Sequence, residues 1–214
     1  MKILGIITAR KNSKRIKGKN VKMLGSKPLI QYTFDIVKKV KFLNDVMITT
    51  DDKRALELAK QNLILAPWLR PSKYSKSSSS SFETVKHAYT WYNKYIKKVD
   101  AIALFQPTSP FRKLKTVNDA FKIFKKYNGL RSVISVSYTK NKIILKDKNQ
   151  KEINMFCPNG LIFITPVKEL EKFKSFISER TIPMISNDKE EALDIDYPND
   201  WKLALKSIKK YEKK

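Results

Sequence analysis

Apolar positions along this chain switch between two rhythms. Ile3–Thr8 is a compact isoleucine-rich run that stops at the polar stretch RKNSKRIKGKN, the pattern of a buried strand entering a loop. Pro28 then opens LIQYTFDIVKKV, where a proline suits the first helical turn and Ile30, Phe34 and Val37 recur on one face. Asp45-VMITT-Asp51 reads as a second strand and Lys53–Lys60 as a short helix behind it. The stretch from Arg70 to Ser81 is polar, and its five consecutive serines predict no packed element. Helical spacing resumes at Val85, Ala88, Tyr89, Tyr92 and Ile96. Asp100-AIALFQ is a third strand, ending at Pro107-Thr108-Ser109-Pro110, and Val117, Ala120, Phe121 and Phe124 mark the next helix. Ser132-VISVS gives a fourth strand. Residues Lys140–Asn154 are irregular and charged, with one hairpin expected around Ile143–Leu145. Gly160-LIFIT is a further strand, a helix follows around Val167–Phe173, and Trp201, Ala204, Leu205, Ile208 and Tyr211 line a closing helix.

Strands alternating with helices predict a three-layer α/β domain, a mostly parallel sheet with helices on both faces. We expect one domain over residues 1–214. In such folds the ligand sits at the carboxyl ends of the strands. The polar segments RKNSKRIKGKN, TTDD and FQPTSPFR lie at those ends, and PNG and DID follow later.

Charge adds a question. Lys+Arg number 45 against Asp+Glu 20, a formal net charge of +25. Basic chains concentrate phosphate-bearing partners. Lysine is nevertheless spread from Lys2 to Lys214, and only seven of the 45 cations are arginines, the residue that reads phosphates and bases by forked hydrogen bonds. We therefore expect a solvated lysine-rich surface, with no nucleic-acid partner, and reserve the affinity for small anions such as a nucleoside triphosphate. A single cysteine, Cys157, excludes an intramolecular disulfide framework. No apolar run approaches the ~20 residues of a membrane helix. The N-terminal ILGIITA stops at Arg10, too short for export. A cytoplasmic protein with no membrane partner is expected.

The first loop holds the densest chemistry. From Arg10 to Asn20 it carries six cations in eleven positions, with Ser13 and two asparagines. Backbone amides and ammonium groups in a post-strand loop can wrap a triphosphate. Neither the Walker A spacing nor a G-x-G-x-x-G fingerprint is present.

Taken in order, these segments resemble the acylneuraminate cytidylyltransferase family, which activates sialic-acid-like nine-carbon (nonulosonic) acids as cytidine monophosphate esters. The shared features are Ala9-Arg10, Ser13-Lys14 and Lys19-Asn20, then Thr49-Thr50-Asp51-Asp52, Arg70-Pro71, Gln106-Pro107-Thr108-Ser109-Pro110-Phe111-Arg112, Pro158-Asn159-Gly160 and Asp194-Ile195-Asp196. They span residues 3–205. Each alone is weak; their order and spacing make the set specific.

The resemblance implies a Rossmann-like nucleotidyltransferase fold of the nucleotide-diphospho-sugar transferase kind. It implies that Arg10, Ser13, Lys14 and Lys19 grip the CTP phosphates, with Lys19 nearest the α-phosphate. Asn20, Arg70 and the serines Ser79 and Ser81 would contact the nucleotide, Gln106 and Asn159 the acceptor sugar. Lys19, Gln106 and Asp196 would act in catalysis, and Asp194 and Asp196 would hold Mg²⁺. Carboxylates two apart on an extended segment share a face, and hard oxygens suit this cation. Asp200, at the start of the final helix, suits exposed helix amides instead. CTP and a nonulosonic acid would be the substrates, and a homodimer the assembly.

The chain also departs from the family pattern. Ser77 stands where an acidic residue is common. The acceptor and dimer segment around residues 138–157 is short, and no arginine lies between Arg131 and Arg180 to grip a sugar carboxylate. Lys140 and Lys142 could act there as point charges. Cys157 is read as a packing residue and His87 as a capping or packing one. The rival readings are a cytidylyltransferase for the eight-carbon lipopolysaccharide acid, whose Gly-Asp-Glu-Pro turn is replaced here by Pro107-Thr108-Ser109-Pro110, and a non-catalytic nucleic-acid binder.

Overall fold

A computed structural model of the chain describes residues 1–76, 78–138, 145–146, 152–153, 156–186 and 188–211, so Ser77, Lys140, Lys142 and Ile143 lie outside the described residues. Strand β1 (Ile3–Ala9) runs into the first loop, and a small hairpin of β2 (Met23–Leu24) and β3 (Lys27–Pro28) leads to helix α1 (Leu29–Val37). Next come β4 (Asp45–Thr50), α2 (Lys53–Gln61), α3 (Ser81–Tyr95), β5 (Ala101–Phe105), α4 (Leu114–Lys126) and β6 (Val133–Tyr138). A two-residue antiparallel ladder joins β7 (Leu145–Lys146) to β8 (Glu152–Ile153); of the hairpin expected around Ile143–Leu145, only Leu145 falls among the described residues. The chain closes with β9 (Phe156–Pro166), α5 (Val167–Phe173), β10 (Ile182–Ile185) and α6 (Pro198–Tyr211).

Six strands form one sheet in the order β10-β6-β9-β5-β1-β4. β9 runs antiparallel to both neighbours, and the other pairings are parallel. Residues of β1 and β5 alternate between the two faces, as a strand period of two requires. Ile3, Ile7, Ala101 and Phe105 pack with Phe34 of α1, Ala55 of α2 and Phe121 of α4. Leu4, Ile6, Ile102 and Leu104 pack on the opposite side with Val85, Tyr89 and Tyr92 of α3 and Leu170 of α5. The three layers expected from the alternation are therefore present. No helix among the described residues is long and apolar enough to cross a membrane.

Two elements differ from the sequence expectation. Strand β10 carries only four residues, two of them exposed, so no alternation announced it. The serine run does contribute to a packed element, because Ser80 caps α3. Its hydroxyl accepts from the Glu83 amide at 3.1 Å while the Glu83 carboxylate accepts from the Ser80 amide. This reciprocal capping box starts the helix at Ser81.

Two features of the fold build the site. In the β6–β9 ladder the register shifts between Ile134 and Val136, so that Asn159, Gly160 and Leu161 bulge out of β9 toward the strand ends. A third apolar cluster lies beyond the sheet, where Trp201, Ala204 and Ile208 of α6 pack on Ile16, Leu24, Tyr32, Phe111 and Ile195. Ile16 belongs to the cationic loop and Ile195 to the DID segment. Their shared burial holds two distant stretches of sequence together.

Candidate active site

At the carboxyl ends of β1 and β5 lies a cleft of ≈ 490 Å³. The cationic loop forms one wall. Asn20 closes the base of that loop, its amide donating to the Arg10 carbonyl at 3.0 Å. Gly18 adopts φ +62°, a left-handed turn that glycine takes without strain, immediately before the single 3₁₀ turn Lys19–Val21. That turn carries Lys19 inward, where it is only 7% exposed.

Arg70, also buried, enters from the segment beside β4. Its guanidinium donates to the Ser75 hydroxyl at 3.0 Å, the Thr49 carbonyl at 3.3 Å and Asp51 Oδ1 at 3.3 Å. Burial lowers its pKa, Asp51 opposes that effect, and nearby Arg10 adds to it. Asp51 also accepts the Lys11 amide at 2.8 Å, so one carboxylate ties Arg70 to the cationic loop. Arg10 reaches across the cleft to the Lys76 carbonyl at 3.3 Å. Ser79 is fixed by donating to the Lys73 carbonyl at 3.0 Å, and Ser81 begins α3 at the same wall.

The far end is built by Gln106, Thr108 and the DID segment. Ile195 donates its amide to the Thr108 carbonyl at 2.8 Å, adding an extended rung beside the Gln106 turn. Asp194 and Asp196 both line the cleft but differ in surroundings. Burial pushes the Asp194 carboxyl above its usual range; a hydrogen bond from the Thr108 side chain opposes this, and Asp196 reinforces it. Asp194 Oδ1 is buried with no hydrogen-bond partner. Asp196 is exposed enough to meet solvent and accepts from Lys19 Nζ at 2.9 Å and Arg15 Nη1 at 3.3 Å. Asp200 accepts the Asp196 and Tyr197 amides at 3.0 and 2.7 Å, the helix-end role expected for it.

Every site residue expected from the sequence lines this cleft except Asn159. Asn159 is buried behind the wall, donating to the Ser137 hydroxyl at 2.9 Å and accepting the Leu161 amide at 3.3 Å. It shapes the bulge that presents Gly160 to Gln106. His87 packs between Trp68 and Tyr74, with ring centroids at 4.8 and 4.5 Å, as a packing residue would. Burial and the cations Lys73 and Arg70 lower its pKa, which favours the neutral ring.

Six cationic side chains and two carboxylates line the cleft, a balance suited to a polyanion such as a triphosphate. Among the described residues no cluster of three or more potential metal ligands occurs. The orphaned, buried oxygen of Asp194 beside a second carboxylate still fits a hard cation, because Mg²⁺ takes one or two carboxylates and completes its shell with phosphate oxygens and water.

Residues 4–214 match the family model described as Cytidylyltransferase. The chain belongs to the cytidylyltransferase family. This cytidylyltransferase is 34% identical over 224 residues to the CMP-N,N'-diacetyllegionaminic acid synthase of Legionella pneumophila, covering 96% of each chain. It is 33% identical over 221 residues to an N-acylneuraminate cytidylyltransferase of Escherichia coli, covering 95% of this chain but 51% of that protein. The chain thus spans about half the length of this second relative. A solved structure of CMP:2-keto-3-deoxy-manno-octonic acid synthetase complexed with CTP superposes with a TM-score of 0.73 at 14% identity, covering 99% of this chain and 100% of that one. That likeness speaks for the fold.

Sequence reasoning passed over several residues of the cytidylyltransferase cleft. Arg15, Tyr74, Lys76, Thr84 and Thr108 all line it. Arg15 looked like one loop cation among several. Thr84 was legible in principle, because the Ser80–Glu83 capping box fixes where α3 begins and Thr84 lies in its first turn.

Proposed function

We propose that this chain transfers the cytidylyl group of CTP to a nonulosonic acid, forming the CMP-sugar and pyrophosphate. The observation that carries the reading is the single cleft in which a cation-lined loop, a glutamine turn and an acidic pair meet. The acceptor class is supported by the two relatives, whose names specify a CMP-legionaminic acid synthase and an N-acylneuraminate cytidylyltransferase. We read the chain as one cytoplasmic domain over residues 1–214, working where CTP is at hand, and as a homodimer.

In this reading Arg10, Ser13 and Lys14 bind the triphosphate, and Asn20, Arg70, Ser79 and Ser81 hold the nucleoside end. The acceptor hydroxyl attacks the α-phosphorus, the bond to the β-phosphate oxygen breaks, and pyrophosphate leaves. Transfer of this kind depends mainly on positioning and on neutralising oxygen charge. Lys19, desolvated beside the acidic pair, supplies fixed positive charge where the α-phosphate accumulates negative charge. Gln106 orients the acceptor, and Asn159 supports that end from behind the wall. Asp194 and Asp196 would hold Mg²⁺, which when bound neutralises phosphate oxygens and steadies the leaving group.

Pyrophosphate release with CTP, Mg²⁺ and a panel of nine- and eight-carbon sugar acids tests the proposal. Turnover should require a nonulosonic acid and favour CTP over ATP, GTP and UTP, because a pocket that pairs with one base leaves polar groups unsatisfied with another. Equal turnover with all four triphosphates would overturn it.

A further inference from the structure

Both oxygens of Asp196 face a cation of the chain itself. Lys19 Nζ lies 2.9 Å from Oδ1 and is anchored by a second bond, 2.6 Å, to the Ile195 carbonyl. Arg15 Nη1 lies 3.3 Å from Oδ2, and its guanidinium carbon sits 4.1 Å above the Tyr197 ring. Asp194, two residues earlier, shows the opposite arrangement, with one buried oxygen lacking any partner. The acidic pair is therefore half neutralised before any ligand arrives. The two cations responsible also line the cleft in which the triphosphate reading puts the phosphates. They are asked to serve two anions, and they cannot serve both fully.

We infer that Lys19 and Arg15 are resident counter-cations of Asp196, and that the divalent cation is held together with the nucleotide rather than before it. With a cation on each of its oxygens, Asp196 presents little uncompensated charge to a metal ion arriving alone. Triphosphate oxygens compete for the ammonium and the guanidinium. As Lys19 and Arg15 turn their donors to phosphate, Asp196 becomes available as a ligand, and the nucleotide brings further oxygens with it. Lys19 is suited to the exchange. An ammonium has three donors on a flexible stem, so it can keep the Ile195 carbonyl while changing its anionic partner. The inference rests on the cytidylyltransferase reading of the cleft.

Its test is a binding experiment with no turnover. Mn²⁺ is titrated into the protein, alone and with a non-hydrolysable α,β-methylene CTP, and free Mn²⁺ is followed by electron paramagnetic resonance. Equilibrium dialysis measures binding of the CTP analogue separately. The wild-type protein alone should bind Mn²⁺ weakly, and the analogue should tighten binding beyond what the Mn²⁺–analogue complex in solution explains. Each cation competes with a metal ion for an oxygen of the half-exposed Asp196, so Lys19→Met and Arg15→Met should each tighten nucleotide-free Mn²⁺ binding by about fivefold. Adding Asp196→Asn to either variant should cancel the gain. The Arg15 side chain is 49% exposed, so Arg15→Met keeps the test open should Lys19→Met fail to fold. The inference is overturned if the analogue binds but folded variants hold Mn²⁺ no better than wild type, or if wild type alone binds Mn²⁺ as tightly as with the analogue. Failure of the analogue to bind at all would overturn the cytidylyltransferase reading as well.

Discussion

Glu191 accepts the backbone amide of Lys113 at 2.8 Å, although 78 residues separate them in sequence. Lys113 occupies the N-cap of α4 and offers no side-chain cap of its own. The second oxygen of Glu191 accepts from the Thr116 hydroxyl at 2.9 Å, so a buried carboxylate from elsewhere in the chain completes the helix end. The same contact anchors the segment that leads, three residues later, into Asp194. Removing a helix cap costs about 0.5–2 kcal/mol. Glu191→Ala should therefore lose about that much stability in urea unfolding. It should also raise the Mg²⁺ concentration needed for half-maximal turnover more than it raises the KM for CTP. Glu191→Gln, which keeps an acceptor oxygen, should recover most of the metal response.

The same turn makes a prediction about pH. Burial raises the Glu191 pKa above its usual value; the hydrogen bonds from Lys113 and Thr116 and the Lys113 charge oppose this, and Asp188 adds to it. An acid whose folded pKa is raised contributes stability that is present below its unfolded value and lost as pH rises through the folded value. Relative to Glu191→Gln, wild-type Tm should fall as pH rises from about 4.5 through the mildly acidic range. Asp188 runs the other way, because its ion pair with Lys113 lowers its pKa. Relative to Asp188→Asn, wild type should lose its advantage as pH drops below about 4. Parallel slopes for the two variants would contradict the assignment.

Much of this arrangement was legible in the sequence, and the reasons it was or was not are local. β1, β4 and β5 were readable because they are short apolar runs ending in polar turns. α4 was readable because Val117, Ala120, Phe121 and Phe124 repeat at helical spacing on its buried face. β10 was not, since a four-residue strand with two exposed positions carries no usable period. At the site, loop cations and paired aspartates could be named from type and order. Their partners could not, because Lys19 meets Asp196 through the burial of Ile16 and Ile195 in one cluster, a packing fact that no local pattern encodes.

Lys19 should be separable from its charged neighbours. Lys11 and Lys17 are exposed in the same loop, whereas Lys19 is buried against the DID segment. Removing one placed electrostatic stabiliser typically costs about 10²–10³-fold in turnover. Lys19→Ala should show that loss in kcat with a much smaller change in CTP binding, while Lys11→Ala and Lys17→Ala should change both little. Equal losses at the three positions, measured by steady-state kinetics, would show that bulk loop charge carries the effect.

Arg112 is fully buried and holds the Gln106 turn against the β9 bulge. Its guanidinium donates to the carbonyls of Leu161 at 2.5 Å, Gln106 at 2.6 Å and Gly160 at 3.4 Å, and to the Thr33 hydroxyl at 3.2 Å. Arg112→Met keeps the apolar volume and removes these donors. Each buried acceptor left unsatisfied costs about 1–3 kcal/mol, so urea unfolding should show a loss of at least about 2 kcal/mol. Arg112→Lys, with a point charge in place of a fork, should recover only part of it.

Gly160 brings the β9 bulge against Gln106 more closely than any side chain would allow. A Cβ there would lie 3.0 Å from Ser109 Oγ and 3.1 Å from Gln106 Oε1, and the backbone has φ +76°. A left-handed conformation costs a non-glycine residue about 1–2 kcal/mol, and the methyl group must also push one of these side chains aside. The Ser109 hydroxyl is held by the Asn159 carbonyl at 3.3 Å within the buried bulge, whereas the Gln106 side chain faces the open cleft. Gln106 is therefore the one to move. Gly160→Ala should lower Tm modestly and raise the KM for the sugar acid, with the KM for CTP nearly unchanged because Arg70, Ser79 and Ser81, the proposed nucleoside contacts, lie on a different wall of the cleft. Gly160→Ala combined with Gln106→Ala should then add little to Gln106→Ala alone, since both act on the same side chain. Additive losses in kcat/KM for the acceptor would show that the bulge acts on the reaction by another route.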